Sequence, residues 1–209
     1  MTFTFPPADH LGAVERSLST RDRDGEELRV LTVTRTFDAS PAEVWDALTT
    51  KERIDRWLMP VSGDLRLGGR YQLEGNAGGE VTACEPPERL SLTWEYQGIS
   101  WVDVTLTGDE RTTLVLEHAA PVPPELWEQF GPGAVGLGWE SMLMGLAEHL
   151  AAPDAAPPRE RVPDLTDFMA GASAAWAEAD IAFGTDPEQA RAAARRCFEA
   201  YTAVPGEDA

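Results

Sequence analysis

Thr36-Phe37-Asp38-Ala39-Ser40-Pro41-Ala42-Glu43-Val44-Trp45, with Trp57-Leu58-Met59-Pro60 a little further on, is the stretch on which the fold of this chain turns. Upstream, Leu31, Val33 and Phe37 alternate with Thr32, Thr34 and Thr36, the period-two pattern of a half-buried strand rich in β-branched residues. Ser40 then suits an N-cap and Pro41 the first helical position, its φ already set. Glu43 falls at the third position, where its carboxylate closes a capping box onto the Ser40 amide. Val44, Trp45 and Leu48 give that helix an apolar side. Thr50 opens a second short helix carrying Ile54, Trp57 and Leu58 until Pro60 stops it. A strand followed by a bent helical pair leaves apolar side chains facing something that the rest of the chain has to supply.

Downstream, alternation predicts strands at 64–67, 70–74, 80–84, 90–96, 101–107 and 112–118, with turns at Gly68-Gly69, 75–79, Pro86-Pro87, Gly98 and Gly108-Asp109, an antiparallel meander. Leu90, Leu92, Trp94 and Tyr96 share one face, as do Val102, Val104 and Leu106, and Leu114, Leu116 and His118. The opposite faces are Ser, Thr, Glu or Asp, so one side of the sheet is covered and the other wet. After a short helix at 125–130, the segment 132–151 reads as a long helix with Val135, Trp139, Met142 and Leu146 on its apolar face. Gly136, Gly138 and Gly145 each cost such a helix about 1 kcal/mol relative to Ala, which points to close approach to the sheet or a neighbour. Upstream of the first strand, residues 1–12 carry no pattern. The run Arg21-Asp22-Arg23-Asp24-Gly25 reads as a hairpin tip that pairs Val14–Ser19 with the strand from Leu28. Near the C-terminus, Pro153, Pro157, Pro158 and Pro163 mark a linker before two Ala-rich helices, 164–183 and 186–203. The second is begun by a capping box at Thr185-Asp186-Pro187-Glu188. The expected organisation is an N-terminal extension (1–27), a main domain (28–152), a linker (153–163) and a helical hairpin (164–209).

The order of strand, helical pair, meander and long helix is that of the α+β helix-grip fold, a curved antiparallel sheet wrapped around a long C-terminal helix. The residues sharpen the match. The run 37–49, then Trp57, Asp64-Leu65-Arg66-Leu67-Gly68-Gly69-Arg70-Tyr71, Pro86-Pro87-Glu88-Arg89-Leu90, Thr93-Trp94 and Gly138-Trp139 resemble the heat-shock ATPase-activator-like branch of the START/polyketide-cyclase/birch-pollen-allergen superfamily. The resemblance covers Leu28 to Leu150 and implies a cavity between sheet and long helix, lined from both. Members of the superfamily bind lipids, sterols or polyketides, a few catalyse cyclisation or hydration, and the eukaryotic namesakes of the branch stimulate a chaperone ATPase. The N-terminal extension and C-terminal hairpin depart from the minimal pattern.

Composition narrows the partners. Seventeen Lys and Arg against 36 Asp and Glu give a formal charge of −19, which opposes nonspecific attraction to nucleic acid or anionic membrane. Cys84 and Cys197 lack any metal or redox spacing and read as buried thiols. Neither a signal peptide nor a membrane span is legible, so a cytoplasmic protein is expected. No cofactor and no metal site are expected, and neither Gly68-Gly69 nor the 75–79 run is a phosphate loop.

Inward periodicity marks Arg35, Trp57, Tyr71, Trp94, Tyr96, His118, Trp139 and Met142 as the residues to contact a ligand, an apolar or amphipathic small molecule. Trp94 and Trp139 should approach each other across the gap between sheet and helix. His118 is either a general base or a buried imidazole needing one or two hydrogen bonds, and it lacks the nucleophile, base and orienter set of an active site. Arg35 is paired with a carboxylate such as Glu74, Glu80 or Glu95, or with an acidic ligand, or else reaches water at a rim. Three functions compete. A binding protein needs an apolar internal volume, and an enzyme needs titratable groups converging on it. An interaction module in the manner of chaperone activators needs a filled interior and an apolar patch outside. The hairpin carries Phe168, Met169, Trp176, Ile181, Phe183, Phe198 and Tyr201, which call for a partner surface on the same chain or on a second copy in a homodimer.

Overall fold

The computed structural model describes residues 6–155 and 164–203; the linker prolines Pro157, Pro158 and Pro163 lie outside the described residues. Eight strands form one antiparallel, unclosed sheet in the order β1-β2-β8-β7-β6-β5-β4-β3. They are β1 Val14–Arg23, β2 Glu26–Phe37, β3 Val61–Gly63, β4 Arg70–Leu73, β5 Gly78–Glu85, β6 Arg89–Glu95, β7 Ile99–Gly108 and β8 Thr112–Ala120. The helices are α1 Pro7–Gly12, α2 Pro41–Thr49, α3 Lys51–Trp57, α4 Pro124–Phe130, α5 Gly133–Ala151, α6 Thr166–Phe183 and α7 Pro187–Thr202. This is the α+β helix-grip architecture, with the sheet curved around α5. The helical pair α2–α3 carries the chain from β2 to the far edge at β3, and the meander then returns until β8 lies beside β2.

The capping box at the head of α2 is present: the Glu43 amide donates to Ser40 Oγ at 3.4 Å and the Ser40 amide to Glu43 Oε2 at 3.0 Å. Asp24 (φ 54°) and Gly25 (φ 86°) form the two-residue turn between β1 and β2, both left-handed as a tight hairpin of this hand requires. Residues 64–67 are not a strand. The extended segment comes earlier, at 61–63, and Leu65 and Leu67 do not share a face: Leu65 turns inward while Leu67 is exposed. Residues 7–12 form a helix rather than an irregular lead, and it buries His10.

The outer face of the sheet is not wet throughout. Leu28, Val30 and Ala119 are buried there beside Trp101, over which the Arg23 guanidinium stacks at 4.1 Å. Nor is α5 a one-faced helix. It buries residues around nearly its whole circumference, because the hairpin covers what the sheet does not. Val135 is exposed, Trp139 and Leu146 are buried as expected, and Leu137 and Leu143 join them in the core. Gly136 and Gly145 mark the close approaches, to the Trp176 ring of α6 and to the Trp57 carbonyl of α3 respectively.

The hairpin packs on its own chain, with Phe168, Trp176 and Cys197 buried. Gly184 (φ 118°) ends α6, and α7 is capped one residue later than the sequence suggests. Asp186 accepts from the Glu188 and Gln189 amides, while the Thr185 hydroxyl donates to Asp180 at 2.8 Å. Among the described residues no helix is long and apolar enough to cross a membrane.

Candidate functional site

Between the inner face of the sheet and α5 lies a cavity of about 110 Å³. Its walls come from Leu90, Leu92 and Trp94 on β6, Val102 and Val104 on β7, Leu114 and Leu116 on β8, and Trp139, Met142, Leu143 and Leu146 on α5. The helical pair and the short strands close it through residues such as Leu48, Ile54, Trp57, Leu58, Val61, Leu65 and Tyr71. Thr49, Leu58, Val61 and Leu65 are only partly buried, as are Trp94 and Met142.

Most of the few polar atoms on lining side chains are satisfied by the protein. Thr49 Oγ1 donates to the Trp45 carbonyl at 2.8 Å, Trp57 Nε1 to the Ala47 carbonyl at 2.9 Å and the Tyr71 hydroxyl to the Thr93 carbonyl at 2.8 Å. Burial, helped by the nearby Glu95 charge, raises the Tyr71 phenol above its ordinary range, so that hydroxyl stays a donor. The Trp94 indole N–H is the one lining donor with no acceptor among the described residues.

Behind the tryptophans a chain of hydrogen bonds fixes the histidine. Trp94 and Trp139 meet with ring centroids 4.9 Å apart and planes tilted by 55°. Trp139 Nε1 donates to His118 Nδ1 at 3.0 Å. Since that nitrogen accepts, the imidazole proton sits on Nε2, 2.8 Å from Ser100 Oγ, and Ser100 donates in turn to the Trp94 carbonyl at 3.0 Å. Burial pulls the His118 pKa down to about 4. The ring is neutral, held in one tautomer, and is not among the side chains that line the cavity; it orients Trp139.

Arg35 is also inward, as alternation predicts, yet it is not among the side chains that line the cavity. Its partners are not Glu74, Glu80 or Glu95. Arg35 Nη2 is 2.9 Å from His10 Nδ1 and Nη1 is 3.5 Å from the Leu143 carbonyl, with Glu148 and Glu140 of α5 supplying the opposing charge. Burial nonetheless pushes the guanidinium down to about 10. His10 Nε2 lies 3.6 Å from Glu148, and its pKa is lowered by burial and by Arg35 against the pull of Glu148. Beside them Arg16 of β1 grips the fully buried Glu140 through two bonds of 2.6 Å. This cluster ties α1, β1 and β2 to the back of α5.

Of the eight residues singled out in the sequence, Trp57, Tyr71, Trp94, Trp139 and Met142 line the cavity. His118 stands behind it and Arg35 belongs to the polar cluster. Tyr96 is 55% exposed, because β6 ends at Glu95 and Tyr96 begins the turn, its amide bonded to the Gly98 carbonyl at 3.0 Å. The aliphatic wall was available from the same alternation that placed Trp94; Glu140 and Glu148, eight residues apart in an otherwise apolar helix, were the signal for the cluster. Among the described residues no group of three His, Cys, Asp or Glu could hold a metal ion.

The sequence of residues 38–151 matches the model of a family described as activator of Hsp90 ATPase homolog 1-like protein. Among solved structures, the chain is similar to CalU16 from Micromonospora echinospora, at 34% identity over 80% of this chain and 98% of that one, with a TM-score of 0.66. It is similar to MLL2253 from Mesorhizobium loti at 27% identity over 61% of this chain and all of that one, TM-score 0.53. It also resembles DynU16, a protein in the dynemicin biosynthetic locus, at 26% identity over 61% of this chain and 48% of that one, TM-score 0.54. No curated protein matches the sequence.

Proposed function

The chain belongs to the activator of Hsp90 ATPase homolog 1-like family, and from that premise we propose that it is a small-molecule-binding protein whose ligand enters apolar-first between the sheet and α5. The observation that carries the reading is the cavity itself: an internal volume walled by aliphatic and aromatic side chains whose polar atoms, Trp94 excepted, are already satisfied. Transfer of an apolar group from water into such a space is favourable by about 25 cal/mol per Å² of surface removed from water. Similarity to DynU16, a protein in a biosynthetic locus, supports a small molecule as the partner.

An enzyme of cyclase or hydratase type in the same space would need an acid or base at its wall. Tyr71 is the one lining residue that titrates, and its hydroxyl is held by a backbone carbonyl. The chaperone-activator reading calls for a filled interior, which the cavity opposes. In this account the C-terminal hairpin braces α5, with Phe168 and Trp176 covered by the chain itself. Native mass spectrometry of the protein purified from its own host tests the main proposal: a co-purifying apolar molecule is expected. A chain that runs at its bare mass and takes up no apolar probe would overturn it.

A further inference from the structure

The size of the cavity restricts what can enter it. Pockets for drug-sized ligands span roughly 300–1,000 Å³, whereas this one has about 110 Å³. An engineered apolar cavity of about 150 Å³ accepts benzene or xenon and stays dry. The space here is somewhat smaller and equally short of polar partners, since Thr49, Trp57, Tyr71 and Trp139 each direct their polar atom to a protein acceptor. A water molecule needs two to four polar partners, so the cavity holds an apolar group in preference to water. Its deep walls do not yield easily. Leu114, Leu146 and Val102 are at most 2% exposed, and the tilted Trp94–Trp139 pair, at 4.9 Å between centroids, leaves no slot into which a second flat ring could slide.

Resting on the binding reading above, we infer that the cavity is specific for one small apolar group, a single six-membered ring or a branched alkyl head of about six heavy atoms. Any remainder of a larger ligand stays outside, past the half-buried rim of Thr49, Leu58, Val61, Leu65 and Met142. A fused polycyclic system does not fit within the walls. Specificity is then set by what the tip of the ligand is, not by its total apolar area.

The test is the size dependence of binding to the full-length protein, followed by ligand-observed NMR and tryptophan fluorescence with benzene, toluene, naphthalene and anthracene. Apolar area alone would make naphthalene bind about tenfold more tightly than benzene. The inference expects the reverse: saturable binding of benzene and toluene, with naphthalene at least tenfold weaker and anthracene silent. Met142→Ala, which shortens a rim side chain, should then admit naphthalene saturably while the chain still unfolds cooperatively, which separates the gain from nonspecific uptake of apolar probes by a loosened core. Naphthalene or anthracene binding the wild-type chain more tightly than benzene would overturn the size limit and leave the apolar-ligand reading standing. Failure of every probe, in both the wild type and Met142→Ala, would remove that reading as well.

Discussion

Two glycines two residues apart on α5, and so on nearly opposite faces of it, should respond to the same substitution with opposite signs. A Cβ on Gly136 would lie 2.3 Å from Cε2 and 2.5 Å from Nε1 of Trp176, a ring that is 1% exposed and fixed on all sides. Ordinary carbon contacts begin near 3.4 Å, so either the ring or the whole of α6 has to move. Overpacking of that kind costs about 1–3 kcal/mol, and a rigid indole puts it at the upper end. Against this stands the helix propensity of Ala over Gly, about 1 kcal/mol. Gly136→Ala should therefore destabilise by about 2 kcal/mol. At Gly138 the nearest atom to an added Cβ is the Tyr201 hydroxyl at 3.5 Å, an ordinary contact. Propensity then acts alone, and Gly138→Ala should stabilise by up to about 1 kcal/mol. In urea, with a slope of roughly 2 kcal/mol per molar for a chain of this size, the midpoints should move by about 1 M downward and 0.5 M upward. A Gly136→Ala protein as stable as the wild type would mean that α6 is not seated on α5 through Trp176.

Three further outcomes follow from named contacts. Ser40→Ala removes the hydroxyl that accepts from the Glu43 amide and should lower the chemical-denaturation midpoint by the equivalent of about 0.5–2 kcal/mol; an unchanged midpoint would remove the cap from the account. Arg16→Ala leaves Glu140 buried without its bidentate partner, a loss of about 3–5 kcal/mol, while Arg16→Ala combined with Glu140→Leu should recover most of it. Additive losses in that cycle would contradict the pairing. His118 has a folded pKa of about 4 against an ordinary imidazole value of 6.5, so the unfolded chain binds its proton first. The stability it secures is complete above pH 6.5 and declines as pH falls from 6.5 towards 4, by roughly 3 kcal/mol in all. His118→Asn should flatten that part of the pH–stability curve relative to the wild type, and identical curves would show that the imidazole is not buried neutral.

The legible parts of this fold were those written in local patterns. Ser40, Pro41 and Glu43 specify a helix start within four residues, and Asp24-Gly25 specifies a hairpin turn within two, so neither depends on distant partners. Alternation along β6, β7 and β8 identified the inward faces and brought Trp94 to Trp139. The failures lie where a side chain's neighbour comes from far along the chain. Arg35 was read as inward, but its partners are 25 residues upstream at His10 and more than 100 downstream on α5, and nothing in the local pattern names them. Tyr96 failed for a different reason: alternation has no term for where a strand stops, and the backbone turns at Gln97 (φ 56°), one residue beyond it. Val135 failed at the end of a correctly chosen face: Trp139, Met142 and Leu146 line the cavity, whereas Val135, in the first turn of α5, is exposed.

The two additions to the minimal domain explain why α5 can carry acids at all. Glu140 and Glu148 are each 1% exposed, and Arg16 of β1, Arg35 of β2 and His10 of α1 offset their charge. Without the N-terminal segment, Arg16 and His10 would be lost together, and the two carboxylates would return to water on an otherwise apolar helix. Neither acid is among the side chains that line the cavity, and the imidazole behind it is kept neutral by burial and hydrogen-bonded to Trp139 and Ser100. The cavity wall therefore carries no charged side chain, and Tyr71 is its titratable residue. The same ion pairs that pin the N-terminal segment to α5 keep its two acids out of that wall.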